Sequence, residues 1–202
     1  MKKSKLTILI FIVVGILLFG FLGFKVYNDF FKNKSKTKEL DSLELYGYTL
    51  RDNDSELFKS EFEALRKTLN EEMINYEEYA KSISKLFIID LYTINNKLGS
   101  TDIGGTEFIY NDLVDNFKEN MGSSLYKYVE TNVYGTRTQK LPEVSEITVD
   151  NVFKTKYTYG ETEYDSYEIT LSWKYKEDLG YQSTMKVTVI ESNKKLFIVK
   201  GE

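Results

Sequence analysis

The run Tyr167-Glu168-Ile169-Thr170-Leu171-Ser172-Trp173-Lys174-Tyr175 alternates an apolar or aromatic residue with a polar one at every step. Successive side chains of a strand point to opposite faces. This period of two therefore predicts a strand half buried on the side of Tyr167, Ile169, Leu171, Trp173 and Tyr175. Tyr181, Ser183, Met185, Val187 and Val189 repeat the pattern and predict a neighbour. Ser192-Asn193-Lys194 predicts a tight turn into a last strand over Leu196–Lys200, and Val144–Tyr157 predicts a first. The C-terminal part thus reads as a meander of about four antiparallel strands, opened by Pro142, the only proline.

Before Pro142 the period is helical. Asp52-Asn53-Asp54-Ser55 supplies N-cap chemistry, and Phe58, Phe62, Leu65 and Leu69 then form one apolar stripe. A second helix is expected from Asn75 to Leu98, with Tyr76, Tyr79, Ala80, Ile83, Phe87 and Ile94 on its apolar face and Gly99 as its stop. Ile88, Ile89, Leu91 and Tyr92 widen that face, which predicts a central helix covered on more than one side. Leu43–Thr49 is expected to be a short extended entry, Gly104-Gly105 a turn, and 108–120 with 122–132 one or two short helices. Helices first and strands after, without alternation, predict an α+β domain in which helices pack on a curved antiparallel sheet.

At the other end of the chain, Leu6 to Phe24 is an apolar run of 19 residues with Thr7 its only polar member. At about 1.5 Å per residue it reaches roughly 29 Å, the thickness of a bilayer core, and predicts a transmembrane helix. The run ends in Phe21-Leu22-Gly23-Phe24-Lys25 without a small-residue cleavage triplet, and no cysteine is present for a thiol-linked lipid, so an uncleaved anchor is expected. The expected organisation is a basic tail over 1–5, an anchor over 6–27 in contact with membrane lipid, a lysine-rich linker over 28–44 and a water-exposed domain over 45–202. Met1-Lys2-Lys3-Ser4-Lys5 before a first apolar helix is the signal-anchor pattern. It predicts a single-pass cell-membrane protein with its C-terminal domain extracytoplasmic.

Composition narrows the chemistry. The chain has neither histidine nor cysteine, which removes His general bases, Cys nucleophiles, disulfides and Cys/His zinc sites. Residues 40–202 hold 19 basic against 29 acidic side chains, an acidic excess that argues against a nucleic-acid partner. With 16 Tyr, 13 Phe and one Trp, core material is plentiful. No catalytic residue, metal site or cofactor is expected. Asp102, Asp112 and Asp115 lack a calcium-loop spacing, and Glu71-Glu72 and Glu77-Glu78 read as solvated helix charges.

Asp90 is the one discordant residue. At 100° per residue it projects between Phe87 and Ile94 on the apolar face of the second helix. A buried carboxylate must be paired, hydrogen-bonded or neutralised. One reading makes Asp90 the polar foot of a ligand pocket with Phe87, Ile94 and Trp173. The other makes it a latch bonded to a core tyrosine hydroxyl, backbone amides or Arg137.

The order of helices and strands resembles the NTF2-like (cystatin-like) cone fold, and a single-pass anchor bearing such a domain is similar to the cone-domain subunits of type IV secretion and conjugation machines. The segments Leu86-Phe87-Ile88-Ile89-Asp90-Leu91-Tyr92, Ser124-Leu125-Tyr126-Lys127-Tyr128-Val129 and Leu141-Pro142-Glu143-Val144 also resemble those of uncharacterised Firmicute membrane proteins. The resemblance spans roughly 45–202 and transfers no site residue. It implies a non-enzymatic assembly module with protein partners in the envelope. The alternatives are a binder of a small apolar or lipid-like ligand near Asp90 and, last, a histidine-free isomerase or hydrolase.

Overall fold

The structure, a computed structural model, describes residues 39–202. The expected basic tail, the anchor and most of the linker lie outside the described residues. Among the described residues, no helix is long and apolar enough to cross a membrane. Residues 39–132 and 137–202 belong to one compact unit; residues 133–136 fall outside it.

The fold is α+β. A small antiparallel hairpin comes first, β1 (Glu39–Leu43) with β2 (Tyr48–Arg51). The chain does not run straight into the domain as an extended entry. It turns back after Leu43, whose carbonyl accepts the N–H groups of Tyr46 and Gly47 at 2.9 Å. Helix α1 (Glu56–Leu69) starts where the cap cluster places it: the Ser55 hydroxyl accepts the Phe58 N–H at 3.2 Å. Its four predicted stripe residues, Phe58, Phe62, Leu65 and Leu69, are all buried.

Helix α2 (Tyr76–Tyr92) is capped by Asn75, whose side-chain oxygen accepts from the N–H groups of Glu77 and Glu78. It is the central element, with α1 on one side and the sheet on the other. Twelve of its 17 residues are buried. It ends at Tyr92, six residues before the periodicity predicts. The cause is tertiary: the N–H groups of Ile94 and Asn95 both turn to the Pro142 carbonyl at 2.9 and 3.2 Å, and the Thr93 hydroxyl accepts the Val144 N–H. The strand entering the sheet therefore draws the backbone out of the helix. Ile94 is still fully buried, but from a loop rather than a helix face.

Two 3-10 turns, Thr106–Phe108 and Asn111–Leu113, lead into α3 (Val114–Ser123). Of the two short-helix regions expected, only the first forms a helix. The second is turn structure that buries Tyr126 completely.

The sheet is a four-stranded antiparallel meander in the order β3 (Val144–Tyr159), β4 (Thr162–Tyr175), β5 (Thr184–Ser192), β6 (Lys195–Gly201), and it is not closed. Ile169, Leu171 and Trp173 alternate inward as read, opposite Val152, Val149 and Ile147 of β3. Register irregularities sit between Val149 and Asn151 in β3 and between Thr188 and Val189, where β5 pairs with β6. Tyr48, Tyr79 and Leu196 join hairpin, helix and sheet: the two phenol oxygens are 2.8 Å apart, Tyr48 donates to the Leu196 carbonyl, and the Leu196 N–H donates to Tyr79.

Truncating the stripe should cost far more than removing the cap. Phe62→Ala is expected to lose about 3–5 kcal/mol and Ser55→Ala about 1 kcal/mol, read as urea unfolding free energies. Near-equal losses would mean that the α1 stripe is not the packed face.

Candidate functional site

The site is built outward from the last turn of α2, which carries Asp90 into the interior. Once the helix ends at Tyr92, residues 93–98 reverse direction, and Lys97, seven residues on, returns its ammonium to Asp90 Oδ1. The two side chains are 4 % and 3 % exposed. Asp90 Oδ2 accepts the Gly105 N–H at 2.6 Å. Both carboxylate oxygens are therefore occupied. Burial by itself pushes this carboxyl up; the Lys97 ammonium and the Gly105 N–H outweigh it and hold the group below the usual carboxylate range.

The glycine pair makes this contact possible. A Cβ at Gly104 would fall on the Asp90 carbonyl oxygen, and one at Gly105, where φ is +77°, would lie 2.7 Å from the Phe87 ring. Only glycine lets this loop reach the helix backbone. Tyr126 completes the joint, donating to the Leu91 carbonyl at 2.7 Å and accepting the Gly104 N–H at 3.2 Å. Arg137 does not pair with Asp90. Its guanidinium clamps the reversal instead, donating to the carbonyls of Asn95 and Lys97. Asn53 and Asn96 tie the same reversal to the loop after β2, each side-chain amide donating to the other's carbonyl at 2.9 Å.

Two further carboxyls lie in this region. Asp54 accepts the Arg51 N–H at 2.7 Å, and its pKa is raised chiefly by burial. Glu107 follows the glycine pair. One of its oxygens accepts the Thr49 N–H at 3.2 Å and lies 4.0 Å from Arg51; the other is buried without a hydrogen-bond partner. Burial, and then the Asp90 charge, push the Glu107 carboxyl up to about 8 against the pull of Arg51. With Asp102, whose charge also acts on Arg51, these carboxyls outnumber the two cations Arg51 and Lys97. Glu107, with one oxygen unbonded, is the least well bonded of Asp54, Asp90 and Glu107, and its raised pKa favours the neutral form near pH 7.

The predicted pocket residues are not assembled around an opening. Asp90 and Phe87 both meet the glycine pair. Ile94 is buried in the reversal, and Trp173 packs on Tyr92 with ring centroids 4.8 Å apart. Sequence reasoning missed Lys97, Glu107 and Tyr126. The available signal was a Gly-Gly pair following an acid on an apolar helix face. Elsewhere two larger clefts open. One, of about 690 Å³, runs between α1, α2 and Ile147–Val152 of β3. The other, of about 320 Å³, lies beneath α3 and reaches Phe87. Asp90 lines neither.

This arrangement holds charge in place, and its stability should report that. Lys97→Met strands a buried carboxylate and is expected to cost about 3–5 kcal/mol at pH 7. Adding Asp90→Asn should recover much of the loss, as read in a double-mutant cycle by urea unfolding. Glu107 gives the opposite pH dependence to Asp90. Because its folded pKa lies above the ordinary carboxylate value, the folded chain holds a proton that the unfolded chain releases. Stability should therefore fall as pH rises from about 5 to 8, by at most about 1.4 kcal/mol per unit. In Glu107→Gln this decline should be largely lost from thermal melts, leaving only the smaller contribution of Asp54 at the acid end. A decline of equal slope in that variant would assign the proton elsewhere.

No family model, curated protein or solved structure matches this chain.

Proposed function

We propose that the chain is a non-enzymatic assembly module of a bacterial envelope or secretion-type complex. In this reading residues 6–27 anchor it in the membrane by a single pass, and a cone-like α+β domain of NTF2 type stands on the extracytoplasmic side. The observation that carries the proposal is the outer edge of β3. This strand is 16 residues long, and among the described residues no strand pairs with its outer edge.

An open strand edge is a template for a strand from another chain. The two halves of β3 treat that edge differently. Beyond the register shift, Lys154 and Lys156 stand where lysines discourage indiscriminate pairing. Before it, Ile147 and Val149 edge a groove whose opposite wall is Ala64, Ser82 and Lys85 of the helices. A groove between an edge strand and a helix pair is the shape that receives an extended segment: the edge supplies main-chain hydrogen bonds, and the helix wall reads alternate side chains. Exposed Phe153 lies just past it. A membrane anchor suits this use, because tethering in one plane raises the effective concentration of neighbouring subunits.

A small ligand seated over Asp90 has less support, since both oxygens of that carboxylate are already bonded within the fold.

Two measurements on the full-length chain in cells test the proposal. The chain lacks cysteine, so Ser192→Cys offers a single thiol. A membrane-impermeant maleimide is expected to label it before lysis; labelling only after lysis would overturn the extracytoplasmic placement. A photo-crosslinking residue at Thr148 is expected to give one adduct of discrete mass, and the same residue at exposed Lys127 on the loop side to give none. No adduct at Thr148, or equal adducts at both positions, would overturn the edge as the docking surface.

A further inference from the structure

We propose that the cleft beneath α3 binds a small uncharged apolar molecule, of the size of a fused two-ring aromatic or a short acyl chain. The proposal is independent of whether β3 receives a partner.

Helix α3 carries Val114, Phe117 and Met121 at spacings of three and four, one apolar stripe that is the mark of a helix closing a core. Yet none of its ten residues is buried. The stripe packs only partly on the core, Phe117 against Phe87 with ring centroids 5.9 Å apart, and a cleft remains beneath it. Phe87 and Leu91 of α2, Ile109 and Met185 line the cleft with Phe117 and Met121. Its volume, about 320 Å³, is roughly twice that of an apolar cavity able to hold benzene. Methionine on both roof and floor, Met121 and Met185, gives walls that adapt to shape.

The rim determines the charge of the occupant. Lys200 is paired with Glu202 at 2.5 Å. Asn120 donates to Asn116, and Gln182 accepts the Tyr92 hydroxyl and donates to the Thr184 carbonyl. Lys200, the one charged side chain lining the cleft, is thus paired, and the other polar side chains of the rim are neutral. An ionised ligand would lose its hydration without compensation. An uncharged one gains apolar burial under the α3 stripe, which the protein leaves incomplete. The roof can shift to admit it, because α3 is short and has no side-chain bond capping its N-terminus.

The test uses the four methionines as reporters. The full chain, labelled with ¹³C at the methionine methyls and held in lipid nanodiscs, is titrated with indole. Met121 and Met185 are expected to shift and saturate together, while Met73, 86 % exposed, stays still. Gly201→Phe fills the mouth of the cleft, where an added Cβ meets only the flexible end of Met185. It should weaken binding about tenfold or more. Non-saturating shifts, equal movement of Met73, or an undiminished response in a folded Gly201→Phe chain would overturn the proposal. So would the absence of any shift, the result expected if the cleft instead receives a protein segment.

Discussion

An ammonium and a carboxylate buried against each other, Lys97 and Asp90, set the terms for most of this domain. Neither charge is tolerable alone in the interior, so every segment that brings them together is held to one geometry. The helix must end at Tyr92 for the chain to reverse within five residues. The glycine pair must lie on the helix backbone to deliver its N–H to the second carboxylate oxygen. From that pair the chain has only the turn Thr106–Phe108 to cross before Ile109 meets Ile198 and the Tyr110 N–H donates to the Ile198 carbonyl. A satisfied ion pair of this kind adds little net stability over an apolar replacement. What it supplies here is uniqueness: a shift of register in the loop would strand a charge.

The same logic explains the raised pKa of Glu107. Asp54, Asp90, Asp102 and Glu107 all act on Arg51, so acidic groups here outnumber the cations Arg51 and Lys97. Asp90 takes the stronger cation contact and the shorter N–H bond, so the cost of the excess falls on the group with the weakest partners. Glu107 bonds the Thr49 N–H, and its protonation state therefore bears on how β2 is held against the rest.

How much of this was legible in the sequence depended on the range of the interaction. The β4 alternation and the α1 stripe were readable because each is decided within a single element, by period and burial. The end of α2 was not, because apolar spacing continues through Ile94 and the residues that end the helix, Pro142 and Val144, lie some 50 positions away. Asp90 was visible as an anomaly on an apolar face. Its partner was not, since Lys97 joins it only after a reversal that no local pattern announces. Gly104-Gly105 read as a generic turn for the same reason. Its requirement for glycine comes from the proximity of the α2 backbone and the Phe87 ring, and neither contact leaves a trace in neighbouring residues.

The distribution of these ties also shows where the domain is free to change. The hairpin, α2, the reversal and β6 are joined by buried polar bonds, each costly to break without a replacement. Helix α3 shares none of them; only partly buried apolar residues hold it to the rest. Segments with few buried contacts open at lower free energy than the elements around them. Any adaptation to a molecule in the cleft therefore falls on α3, while the strand edge at β3 stays fixed by the sheet behind it. The two surfaces are separated by α2, the most completely buried of the three α-helices among the described residues. A packed element of that kind does not deform gradually. A small apolar ligand that shifts only α3 leaves α2 packed, so the two surfaces are expected to be occupied independently.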